Sequence, residues 1–149
     1  MITTTRARTA ALTLAAVVAL TFAGAGAAQA EPPSMPAIPL NNEQETTGAT
    51  GGASGFFSYE IDGDQFCYTL EVDGLTAPAT AAHIHFAPRN VAGDVVIPLA
   101  VPSGTTFEVD ACTTAGETLL AEITENPRNY YVNVHTSTFP GGEVRGQLK

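Results

Sequence analysis

The feature that most constrains this chain is a two-residue hydrophobic period, carried by short segments that turn residues interrupt. From Gln65 to Val72, Phe66, Tyr68, Leu70 and Val72 alternate with Cys67, Thr69 and Glu71, the pattern of a strand with one buried face. Phe56 to Ile61 precedes it across Asp62-Gly63-Asp64, and Asp-Gly tolerates the positive φ of a tight hairpin. The Gly-rich run from Gly48 to Gly55 reads as a loop. Thr80 to Phe86, Val95 to Ala100 and Thr105 to Ala111 read as further strands between Pro and Gly turns. Tyr130 to Thr136 and Glu143 to Leu148 form a closing hairpin around Phe139-Pro140-Gly141-Gly142. The helical signal is Thr114-Ala115-Gly116-Glu117, spaced as a capping box, ahead of Leu119, Leu120 and Ile123 and stopped by Asn126-Pro127. The expectation is an all-β domain: a single antiparallel Greek-key β-sandwich or flattened barrel, with one short helix near 114–125.

Ahead of this pattern stands a different segment. Residues 1–30 carry Arg6 and Arg8, an apolar run from about Ala10 to Ala23, and Ala28-Gln29-Ala30 before Glu31. These are the three parts of a secretory signal peptide, cleaved after Ala30. The alternative, an uncleaved anchor, is disfavoured by the Ala-rich run and by the lack of Lys or Arg behind it. Residues 31–37 hold Pro32, Pro33 and Pro36 and read as an extended tail, which leaves the domain at 38–149. The expected product is secreted and extracellular, with no membrane span after cleavage.

Removing the signal sharpens the charge. The chain has 6 Lys and Arg against 15 Asp and Glu. Losing Arg6 and Arg8 leaves 4 against 15, a net charge of −11 in place of −9. Without a basic stripe to displace counterions, nucleic acid is excluded as a partner. Cys67 and Cys112, exported together, pair most simply as a disulfide; two free buried thiols are the alternative.

All three histidines fall on two strands. In His83-Ile84-His85 the imidazoles share one face, opposite Ala82, Ile84 and Phe86. In the closing hairpin Val132 and Val134 claim the core face, which leaves Tyr131, Asn133 and His135 on the other, and Glu143, Arg145 and Gln147 oppose Val144 and Leu148. Pairing through the short turn sets Arg145 beside Asn133 and diagonal to His135. Two readings stand: His83, His85 and His135 converge as an N3 site for copper or zinc, or each imidazole hydrogen-bonds to loops and to Glu or Asn on the sheet surface. Other chemistry finds little support. Asp62-Gly63-Asp64 lacks the spaced ligands of a calcium loop, no Gly-x-Ser-x-Gly elbow occurs, and the carboxylates sit at scattered outward strand positions.

Four blocks together resemble the CHRD domain family: Leu70-Glu71-Val72-Asp73-Gly74-Leu75, Ala81-Ala82-His83-Ile84-His85, Asn126 through Thr136, and Phe139 through Leu148. Leu40 to Glu45 is similar to the family's first strand, and Cys67 and Cys112 sit where secreted bacterial members often carry a pair. Phe86-Ala87-Pro88-Arg89-Asn90 departs from the glycine-containing loop more usual after the histidines. The resemblance implies an immunoglobulin-like or barrel-like β fold and a non-catalytic extracellular binding or envelope-associated module, whose partner would be an extracellular protein or envelope component. A looser resemblance, to copper-zinc superoxide dismutases, rests on the order His83, His85, His135, Arg145. It implies a copper-binding protein or a dismutase-like enzyme with one copper ion on the three histidines and Arg145 as guide for an anionic substrate; strand alternation sets Tyr131 and Asn133 beside that site on the face of His135. No further His remains to complete a second, zinc site.

Overall fold

The computed structural model describes residues 37–149. The expected signal peptide, and all of the expected Pro-rich tail except Ala37, lie outside the described residues. Eight described strands account for the alternating segments: β1 (Ile38–Asn41), β2 (Ser54–Asp62), β3 (Gln65–Asp73), β4 (Ala79–Phe86), β5 (Asp94–Leu99), β6 (Phe107–Thr114), β7 (Tyr130–Thr136) and β8 (Val144–Gln147). One helix, α1 (Glu117–Glu125), lies between β6 and β7. The strands form one antiparallel sheet in the order β5-β4-β7-β8-β1-β2-β3-β6. The sheet curls into a nearly closed, flattened barrel, the all-β architecture expected. Its two ends are drawn together by the β5–β6 connection, where Tyr68 Oη donates to Ala100 O and the amides of Leu75 and Ala79 donate to Thr105 O and Gly104 O.

Alternation decides what fills the barrel. Phe66, Tyr68, Leu70 and Val72 of β3 are all buried, and face Phe57 and Tyr59 of β2. The four aromatic rings of this group pack with centroids 5.1 to 6.4 Å apart, each such pair adding about 0.5–1.5 kcal/mol beyond its buried area. Gly63 makes the β2–β3 turn at φ 59°, as the Asp-Gly pair requires. Leu120 and Ile123, one helical turn apart, seat α1 on the same core.

The capping box does not form. Thr114 remains in β6, where its Oγ1 accepts from Gln65 Nε2, and the helix starts after Gly116 with no side-chain cap. The register explains the difference: β6 pairs with β3 along its whole length, from Val72↔Phe107 to Gln65↔Thr114, so the sheet claims the residue the cap would use. β1 also ends earlier than the first-strand resemblance suggests, passing at Asn42 into a single 3₁₀ turn.

Cys67 and Cys112 face each other across β3 and β6 and form a disulfide. It ties the edge strand β6 to its neighbour and closes a loop of 45 residues, worth about 4 kcal/mol by chain entropy. Reduction, or the double substitution Cys67→Ser/Cys112→Ser, is expected to lower unfolding free energy by up to about 4 kcal/mol. Denaturant unfolding with and without reductant measures it, and the double variant should show no response to reductant.

Candidate metal centre

The outward face of β4, β7, β8 and β1 is built in rows. His83 pairs with Asn133, Asn133 with Arg145, and Arg145 with Asn41, so one rung of the ladder crosses four strands with polar side chains. The next rung sets His85 beside Tyr131 and Tyr131 beside Gln147, and His135 stands two residues beyond Asn133. The expected neighbours Arg145 and Asn133 are therefore direct partners. A register shift between Ile84 and His85 marks a bulge against β5, a device that redirects a side chain next to a site.

This polar face is not a solvent surface. Every residue of β7 is buried, because two loops roof it. The β4–β5 loop supplies carbonyls from Pro88, Val91 and Gly93, and the β7–β8 loop supplies those of Pro140 and Gly141. Within the β4–β5 loop Asn90 takes the left-handed conformation, φ 61°, which Asn tolerates better than other side chains.

The loops fix the imidazoles. His85 Nδ1 lies 2.9 Å from Gly93 O and His135 Nδ1 lies 2.9 Å from Pro140 O. A carbonyl only accepts, so both Nδ1 atoms carry the proton and both Nε2 atoms present a lone pair. His135 Nε2 meets His83 Nδ1 at 2.9 Å, while His85 Nε2 is buried without a partner. An imidazole whose far N–H is held by a backbone carbonyl is the usual outer support of a metal ligand. One candidate nitrogen from each of His83, His85 and His135 lies within 4.8 Å of the others. Three nitrogens about 2.0–2.1 Å from one ion stand roughly 3.3–3.6 Å apart, so the three imidazoles would have to close by about an ångström to hold one ion together.

Protonation state favours the same use. Burial pushes all three imidazoles below their ordinary value of 6.5, and the neighbouring His135 and His85 help bring His83 down to about 4. Carbonyl bonds at His85 and His135 oppose this in part, and the Arg145 charge adds to the depression at His85. At neutral pH the cluster therefore offers three uncharged nitrogens, the form that binds metal.

Arg145 supports the cluster from behind. It is fully buried, its Nη1 and Nη2 donate to Val91 O and Pro88 O at 2.9 Å, and its Cζ stands 3.3 Å from the Tyr131 ring centre. Tyr131 in turn stacks on His85, with centroids 4.7 Å apart and planes 5° from parallel, and its hydroxyl accepts from Gly93 N. An enclosed guanidinium with both Nη atoms on backbone carbonyls is not presented to a diffusing anion, so the guide role implied by the dismutase resemblance has no geometric basis. Its work is to hold Tyr131 against His85 and to pin the roof.

Two carboxylates escape a reading by strand face. Glu143 is not an outward surface group: it is fully buried, and its carboxylate accepts from Thr76 N, Thr76 Oγ1 and Thr136 Oγ1. Glu45 lies against Asn133 and feels the Arg145 charge, though burial still pushes its carboxyl upward. The first-strand resemblance of Leu40 to Glu45 is the one signal for Glu45; nothing in the alternation marks Glu143 as interior.

Two outcomes are expected. The depressed histidines stabilise the fold fully above about pH 6.5, and this is lost as the pH falls toward 4, because the unfolded chain then binds protons the folded one refuses. Glu45 acts in the opposite sense. Unfolding midpoints of metal-free protein between pH 7 and 4 should fall, and should fall less in a His83→Gln/His85→Gln variant. Arg145→Lys keeps the charge but cannot reach both carbonyls; a loss of about 2–3 kcal/mol is expected, with faster amide exchange at Val91 and Gly93.

No curated protein matches the chain, and no solved structure does. The family model of the CHRD domain matches residues 37–148, which takes in all eight strands, the three histidines and the disulfide. The chain belongs to the CHRD domain family.

Proposed function

We propose that this is an exported CHRD-domain protein whose function is to bind a single copper ion through His83, His85 and His135, as a non-catalytic extracellular module. The observation that carries the reading is the pair of Nε2 lone pairs on His85 and His135, each backed by an Nδ1–H held on a loop carbonyl, one of them buried and unpartnered. A buried polar atom left unpaired costs about 1–3 kcal/mol, and an ion bound there removes that cost. Three imidazoles with no thiolate select copper or zinc over calcium or magnesium, and copper(II) binds nitrogen sets more tightly than zinc. His83 is only half-buried, so an ion held there would keep access to solvent.

Export rests on the signal-like residues 1–30, and the Cys67–Cys112 disulfide suits an oxidising compartment. Among the described residues no helix is long and apolar enough to cross a membrane. Buried Arg145 and the lack of a histidine for a second metal favour a holder of copper over a dismutase.

Titration of the metal-free protein with Cu(II) should give one site, nitrogen hyperfine structure in the electron paramagnetic resonance spectrum, and a stability gain of about 2.7 kcal/mol at a hundredfold excess over Kd. His83→Ala, His85→Ala and His135→Ala together should abolish all three. Binding no tighter than that of a scrambled His-containing peptide refutes the site. Superoxide consumption by the loaded protein well above that of a copper–peptide control refutes the non-catalytic role.

A further inference from the structure

The four cationic residues after the signal-like segment are Arg89, Arg128, Arg145 and Lys149. Arg145 is enclosed; the other three, all exposed, line one cleft of about 480 Å³ beside β1 and β8. No described Asp or Glu lines it. In a domain where acidic residues outnumber basic ones by 14 to 4, placing every exposed cation around a single concavity makes a local positive field against a negative surround. Such a cleft focuses anions that the rest of the surface repels.

The arrangement is held from beneath. Gln147, on the outward face of β8, reaches the carbonyl oxygens of Ala87, Arg128 and Tyr130 with its Nε2, each at 2.8 Å. One amide thus fixes both arginine-bearing segments: the loop that continues from Ala87 to Arg89, and the 3₁₀ turn of Pro127–Asn129 that carries Arg128. Asn41 also lines the cleft, and its carboxamide Oδ1 is buried without a partner. Turned over, the same amide presents an N–H donor at that point.

We infer that this cleft is an anion-binding site for a small multivalent oxyanion, a ligand carrying two or three carboxylate or phosphate groups. The volume falls within the range of small-molecule sites. Two guanidinium forks match either oxyanion in bidentate fashion, and the Lys149 ammonium adds a point charge. A multivalent anion gains more from three cations around one cleft than a monovalent one does, so multivalency is the discriminating property. The site shares no residue with the histidine cluster and stands whether or not copper binds there.

The test is calorimetric titration of metal-free protein, at low ionic strength, with citrate in one arm and tripolyphosphate in the other. Either probe should bind at one site and weaken steeply as salt is raised; the tighter of the two names the oxyanion. Arg89→Gln/Arg128→Gln should weaken binding at least tenfold, and because both side chains are exposed its thermal unfolding should match that of the parent. His83→Ala should leave binding unchanged. Failure of both probes to bind at millimolar concentration overturns the inference. So does binding that the double arginine variant leaves intact, or that acetate at equal ionic strength matches in affinity.

Discussion

The interaction on which the rest of this structure depends is the burial of the Arg145 guanidinium. Taking an ion of this kind out of water costs several kcal/mol even after relaxation, and Nε, left without a partner, adds to that. The offset comes from Val91 O, Pro88 O, the face of Tyr131 and the nearby Glu45 carboxyl. Each of these contacts also positions something else. The two carbonyls bring the β4–β5 loop down over β7, which lets Gly93 O reach His85 Nδ1 and Gly93 N reach Tyr131 Oη. Tyr131, pressed between guanidinium and imidazole, sets the plane of His85. The buried charge is therefore the fixed point from which loop, aromatic ring and imidazole take their positions.

That arrangement has an electrostatic consequence. A permanent positive charge beside His85 discourages its protonation, in the same direction as burial. Were the supporting residue a carboxylate, as beside many histidines, it would stabilise the imidazolium and put protons in competition with a metal. Glu143, the fully buried carboxylate, is instead directed away to Thr76 and Thr136, where three donors satisfy it. The domain thus keeps its interior acid and its interior histidines apart, although both lie on the β7–β8 hairpin and its flanks.

Much of this was legible from periodicity alone. Alternation in β3 and β7 fixes which side chains enter the barrel, and a short turn at Phe139–Gly142 fixes the register that puts Arg145 beside Asn133. The convergence of His83, His85 and His135 follows from those two facts once β4 and β7 are neighbours. Strand period says nothing, however, of what lies above a face. Asn133, His135 and Arg145 read as surface residues because period two divides a strand into core and other, and here the other side is roofed by loops. The path of those loops is set by single backbone carbonyls, which no side-chain pattern encodes. The failed capping box has a related cause: Thr114 satisfies its local motif and the β3–β6 ladder equally well in sequence, and the longer ladder with its disulfide wins.

The short strand β8 links the two polar sites. Its outward residues are Arg145, which organises the histidine face, and Gln147, which organises the cationic cleft. Between them Gly146 has no room for a side chain: a Cβ there would stand 2.7 Å from Leu40 Cδ2 and 2.8 Å from Pro39 O. The absence of a side chain lets β8 lie close against β1, with Asn41 opposite Arg145. A bulkier residue would push the strands apart and carry Arg145 and Gln147 with it, loosening the β4–β5 loop at both of its anchors. Val144-Arg145-Gly146-Gln147 is thus read on both faces at once: Val144 and Gly146 toward the barrel, Gly146 close against Ile38 and Leu40 of β1, and the two polar side chains outward. Its four residues couple the packing of the barrel to the placement of both candidate sites.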